Sequence, residues 1–171
     1  MDALFLIARV LHVGLGVFWA GALIFNAAFL IPSVRDAGPD GAKVAAGLMR
    51  RRFLDIMPVV AILTVLSGFY LYWRVSAGFS PVYMGSVAGM TYGIGAVAAV
   101  IALGLGVGIM RPSMLRAAAL SQGAAQAGSP EERDRGLHTA QALRARAGAF
   151  GQGIAWLLAV TVIAMAVARY V

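Results

Sequence analysis

The stretch VYMGSVAGMTYGIGAVAAVIALGLGVGIM, Val82 to Met110, carries no charged side chain. A run of about 20 apolar residues crosses the ~30 Å hydrocarbon core of a bilayer as a helix, because in lipid the backbone must satisfy its own hydrogen bonds. Three further blocks read the same way, so four transmembrane helices are expected over residues 3–31, 56–74, 82–110 and 148–169. The predicted fold class is all-α: a four-transmembrane-helix antiparallel bundle with helical cytoplasmic extensions. Residues 1–171 form a single integral membrane domain in this reading, with no internal repeat beyond a weak similarity of two helical hairpins.

Composition points the same way. Hydrophobic residues make up 61% of the chain and charged ones 12%, too few to cover a water-facing surface; a globular domain carries about 25% charged residues. The first block does not read as a signal peptide: it is too long, opens on Asp2 rather than a basic region, and precedes no small-x-small cleavage site. The absence of cysteine removes disulfides, iron–sulfur clusters and thiolate metal sites from consideration.

The net charge of +7 is distributed unevenly. Arg35, Lys43, Arg50, Arg51 and Arg52 fall between blocks one and two; Arg111, Arg116, Arg133, Arg135, Arg144 and Arg146 fall between three and four. The other side receives only Arg9, Arg74 and Arg169, a ratio of eleven to three. Basic residues concentrate in cytoplasmic connections. The expected location is therefore the bacterial inner membrane, multi-pass, with both termini outside and Lys43 and Arg133 in the cytoplasm. The bilayer is then the principal partner, its anionic lipids contributing about 1 kcal/mol per basic residue near the surface. Nucleic acid is excluded as a partner, since the basic stretches lack interleaved aromatics for base stacking.

Both cytoplasmic connections are predicted to be largely helical. Lys43 to Asp55 contains no breaker except Gly47 and leads into the second span. Ser129-Pro130-Glu131-Glu132 reads as an N-cap, a proline at N1 and a capping box. The helix it opens runs to about Tyr170, and ~40 residues extend roughly 60 Å. Ala117–Gly128 reads as the flexible link before it. Tyr70, Tyr72, Trp73, Phe79 and Tyr83 cluster around the short outer connection as an interfacial belt.

The third block holds seven glycines. Gly85, Gly89 and Gly93 are spaced by four, as are Gly104 and Gly108, and such stripes let another helix approach closely. Packing within one bundle is the expected use. Self-association, contact with other membrane-protein subunits, or a cofactor lying against the stripe are the alternatives.

The first block is where chemistry can sit. His12, Trp19 and Asn26 repeat every seven residues, so they share one helical face with a drift of about 20° per step. Polar groups within a membrane helix point into the bundle, and an intramembrane ionisable residue is a site hypothesis in its own right. The three are the candidate cofactor-binding residues. Heme b is the cofactor considered, with His12 as an axial ligand. His138 belongs to the opposite side and cannot share an iron with His12 within one chain, while Met84 or Met90 could offer a thioether. The alternative is a structural hydrogen bond from a neutral imidazole to a carbonyl or hydroxyl. One histidine and scattered methionines give no recognisable metal spacing, so no dedicated metal site is expected. At the inner edge, Arg50, Arg51 and Arg52 are candidates for contact with an anion or lipid headgroup. Asp55, four residues after Arg51 and three after Arg52, is placed for an ion pair on their helix face.

Leu11-His12-Val13, then Phe18-Trp19-Ala20-Gly21, an apolar run and Pro32, resemble the opening of a superfamily of small membrane bundles. It includes the copper-resistance CopD-type domain, the HemJ-type protoporphyrinogen oxidase and many uncharacterised four-helix proteins. Met49–Phe53 looks like the basic segment that opens the second helix of HemJ-type proteins. The resemblance covers roughly the first 75 residues; the later-helix His and Lys of HemJ-type proteins have no counterpart in block three. It implies a small membrane bundle with a site at His12, Trp19 and Gly21. No catalytic residue is assigned. The function expected is a binding or accessory component of the membrane or of a membrane complex, the alternative being a heme- or porphyrin-binding redox protein using His12.

Overall fold

The computed structural model describes residues 2–171, and of Pro39 the backbone alone; the described chain is helical, without a strand. Helix α1 spans Ala3–Asp36, α2 Gly41–Arg50, α3 Phe53–Val75, α4 Pro81–Met84, α5 Val87–Ala124 and α6 Pro130–Tyr170. Four of these, α1, α3, α5 and α6, are long and apolar enough to cross a membrane. Their outward faces carry large apolar side chains such as Val17, 70% exposed, and Trp156, 74% exposed. Water would not tolerate such continuous apolar faces, whereas lipid supplies their natural solvent.

Two of the long helices continue through a proline beyond the expected apolar span. The expected spans stop at Ile31 and Met110, just before Pro32 and Pro112. A proline ring lacks an N–H and collides with the carbonyl four residues earlier. Each helix answers with one wide π turn immediately before the proline, Asn26–Leu30 in α1 and Gly106–Met110 in α5. The extra residue per turn relieves the collision, so α1 continues to Asp36 and α5 to Ala124. In α1 the Gln152 side-chain amide donates to the Ala27 carbonyl at 2.8 Å within that π turn. Ala117–Gly128 is therefore helical through Ala124 rather than a loose link.

Two other expectations shift. The run from Lys43 to Asp55 is broken at Arg51–Arg52, where Arg52 adopts a left-handed conformation with φ of 56°. The third apolar block is interrupted by α4 and a turn, and α5 begins only at Val87, with the Ser86 hydroxyl accepting from Gly89 N–H at 3.1 Å. The Ser129 cap stands as read, its hydroxyl accepting from the Glu132 N–H at 3.2 Å. Between α3 and α4, Ala77, Gly78 and Phe79 all have positive φ. Buried Ser76 holds that turn, accepting from the Phe79 N–H at 2.9 Å and donating to the Trp73 carbonyl at 3.2 Å.

Helix α1 packs along α3, and α5 packs along α6 through most of its length. A shared core joins the pairs: Trp19 and Leu23 from α1, Met57 and Ala61 from α3, Ala102 from α5 and Ile154 from α6. Charged side chains tie the ends. Asp2 caps α1 by accepting from the Leu4 N–H at 3.0 Å and pairs with Arg74 of α3 at 3.3 Å. At the opposite end, Arg111 of α5 pairs with Asp55 at 2.7 Å and donates through Nε to the Leu54 carbonyl at 3.0 Å.

Among the glycines of the third block, the tightest contact with another long helix falls at Gly95, which the glycine pattern did not single out. A β-carbon there would lie 3.1 Å from both Ala164 Cβ and Met165 Cε. Gly85 lies outside α5, and a β-carbon on Gly89 would overlap the Tyr83 backbone of the preceding turn rather than a facing helix. Gly93 makes only ordinary contact with the Tyr72 hydroxyl, while Gly104 and Gly108 meet nothing within 4 Å. The four-residue spacing thus marks an entry turn and an open face, not one interhelical seam.

Candidate functional site

Between α1, α3, α5 and α6 lies a cavity of about 480 Å³, on the side where Asp2 and Arg74 meet. That volume is within the ~300–1,000 Å³ of small-molecule sites. Its walls are mainly aliphatic, from Val13, Val17, Val65, Val100 and Val162. Trp19, 4% exposed, closes one end and separates this cavity from a small void of about 30 Å³ beside Met57, Ala102 and Arg111.

His12 stands in the wall, held by α3. Its Nδ1 lies 2.9 Å from the Thr64 carbonyl oxygen. A carbonyl can only accept, so Nδ1 carries a proton and donates it. That carbonyl also receives the Ser67 hydroxyl at 3.0 Å, while the Thr64 hydroxyl donates to the Val60 carbonyl at 2.8 Å. Gly68, one helical turn beyond Thr64, gives the ring its space: a β-carbon there would fall 2.5 Å from Cε1 and 2.8 Å from Nδ1. Among the described residues Nε2 has no protein partner. The site thus presents one oriented imidazole within a largely apolar cavity.

Of the residues expected together, His12 and Trp19 both line the cavity. Asn26 does not. It opens the π turn of α1, beyond the Trp19 end of the chamber. His138 lies exposed in α6, 23 residues before the cavity-lining Thr161, about 35 Å along the helix. Met84 and Met90 are absent from the cavity wall, and the thioether that does line it is Met165.

Several lining residues escaped the sequence reading. Arg9 lies one turn before His12 on the same helix, and Arg169 one turn after Met165; both line the cavity. Their signal was present, since they are two of the three basic residues that run against the charge bias. Tyr72 and Tyr92 had been legible only as belt aromatics or not at all. Tyr72 is the hub of that belt, with ring centroids of Phe79 at 6.0 Å, Tyr83 at 6.4 Å and Tyr92 at 6.4 Å, and its hydroxyl donates to the Gly89 carbonyl at 2.9 Å. Thr161 bridges helices by donating to the Gly95 carbonyl at 3.2 Å.

Arg50, Arg51 and Arg52 lie exposed at the far end of α3 from this cavity. Arg52 approaches Asp55 at 3.7 Å, but the break at Arg51–Arg52 takes Arg51 off that helical face, and Arg111 supplies the tighter partner.

These features define a helical protein with four helices suited to a bilayer and an open cavity between them whose walls include exposed side chains such as Val17. Comparison with protein families, curated proteins and solved structures finds no match.

Proposed function

We propose that this chain is an integral inner-membrane protein, an antiparallel four-helix bundle with both termini outside, acting as a binding or accessory component of the membrane or of a membrane complex. The chamber at His12 is its binding site, and that chamber is the observation carrying the proposal. It is a recess of ligand size, open on one side, with mainly apolar walls and a few polar groups, His12, Arg9 and Arg169, converging on it, the composition typical of small-molecule sites. Helical extensions beyond the core, in α2 and the adjoining ends of α5 and α6, are the cytoplasmic part, with Arg50, Arg51 and Arg52 at the headgroup level. Isolation in mild detergent should yield wild-type protein with a co-purifying small molecule detectable by native mass spectrometry. Ala96→Trp, which places a large ring into the chamber from its wall, should lose it. Bare protein in both cases would sink the binding reading.

A second reading has its own support. An imidazole that donates through Nδ1 to a backbone carbonyl and keeps Nε2 free has the arrangement typical of metal-bound histidines. His12 would hold a heme or porphyrin-bound metal at Nε2, with Met165 the thioether lining the same cavity and His138 uninvolved. The bound group would supply redox chemistry; the chain supplies orientation and exclusion of water. Protein from heme-replete cells should then show a Soret band that vanishes in His12→Ala and persists in His138→Ala. No such band in the wild type removes heme from the account and leaves the binding proposal standing.

A further inference from the structure

We infer that the chamber accepts a single-chain amphiphile whose acidic headgroup is held by Arg9 and Arg169 and whose apolar body runs toward Trp19. This rests on the chamber being a binding site. Three basic residues oppose the charge bias of the chain: Arg9, Arg74 and Arg169. Arg74 is accounted for by Asp2 at 3.3 Å. Arg9 and Arg169 have no carboxylate partner among the described residues, and both line the chamber, whose wall contains no acidic residue. The Arg169 guanidinium is instead laid over the Tyr170 ring, with Cζ 5.2 Å from the centroid.

Two guanidiniums without carboxylate partners at the rim of an apolar cavity give that end a net positive charge. An anion there offsets that charge and accepts charge-assisted hydrogen bonds from planar, multi-donor groups suited to a carboxylate or phosphate. The rest of the ligand follows from the walls. Ten residues separate Arg9 from Trp19 on α1, about 15 Å along the axis, and the valines between admit hydrocarbon rather than polar matter. Free arginines near a helix end would otherwise reach outward to the headgroup layer, which makes the paired Arg74 the proper control.

The test uses the full-length protein in neutral-lipid nanodiscs with a spin-labelled fatty acid and its methyl ester. Lysophosphatidic acid and an unlabelled fatty acid serve as competitors. The acid should bind about tenfold more tightly than the ester, the scale of hydrogen bonds to a charged group. Arg9→Gln and Arg169→Gln should each erase most of that preference, Arg74→Gln should keep it, and Ala96→Trp should abolish binding of both probes. Stronger competition by lysophosphatidic acid assigns a phosphate head, and stronger competition by the unlabelled acid assigns a carboxylate. Equal binding of acid and ester, both lost in Ala96→Trp, overturns the inference while leaving the binding site in place. An equal loss of preference in Arg74→Gln overturns it too, since surface charge alone would then be at work. Failure of both probes to bind wild type likewise overturns it, and the co-purification measurement then decides separately whether the chamber binds anything.

Discussion

The His12 ring lies against the Cα of Gly68, close enough that a single added methyl would fall 2.5 Å from Cε1. The same ring donates to the Thr64 carbonyl at 2.9 Å, so one helical turn of α3 both bonds the imidazole and makes room for it. Orientation of the cavity-lining histidine thus depends on a residue with no side chain.

Gly68→Ala should therefore displace the ring and break the Nδ1–Thr64 bond. The expected loss is about 1–3 kcal/mol from overpacking and a lost buried hydrogen bond. Thermal unfolding in detergent should show a lower midpoint for Gly68→Ala. Made in a His12→Ala background, the same change should do little, because its effect runs through the ring. Additive losses would show that Gly68 matters for another reason.

Gly95 provides a test of helix packing. With facing atoms at 3.1 Å, Gly95→Leu must push α5 away from α6 and should lower the melting temperature sharply. Gly104→Leu and Gly108→Leu, with nothing within 4 Å, should melt close to wild type. Gly89→Leu should also destabilise, but through collision with the Tyr83 turn, so limited proteolysis should reveal opening between α3 and α5.

Arg111 joins α5 to the start of α3 through Asp55 and the Leu54 carbonyl. The ion pair is exposed to solvent, with Asp55 at 46%, so its own contribution is small and screened by salt. The bond to Leu54 adds roughly 1 kcal/mol. Arg111→Met should thus cost more in denaturation midpoint than Arg52→Met, and Arg51→Met should cost nothing measurable. Equal effects across the three would assign them to general surface charge.

Orientation can be read directly. Single cysteines placed at Asp2 and at Arg135 in this cysteine-free chain should label from opposite sides of intact spheroplasts, with Asp2 accessible from outside. External labelling at both positions would refute the charge-based topology.

The four long apolar helices were legible in composition alone, because about 20 uncharged residues have few alternatives to a membrane helix. So was the cap at Ser129, a signal that is local in sequence and local in structure. The helical continuation past Pro32 and Pro112 left no trace in hydropathy, because proline disfavours an ideal α-helix and these helices continue only by inserting a π turn. The break at Arg51–Arg52 left no trace, since arginine is a good helix former and its left-handed φ is imposed by the junction. At the site, periodicity placed His12 and Trp19 on one face correctly but carried Asn26 along with them, because a heptad does not say where a chamber ends. Thr64, Gly68, Tyr92, Met165 and Arg169 come from three other helices, and nothing in their spacing relates them to His12. What the chain determined by itself is which segments leave water, a matter of transfer free energy summed along each segment. Which atoms then meet, and that a chamber with two unpaired arginines remains among them, was decided by side-chain packing between helices distant in sequence.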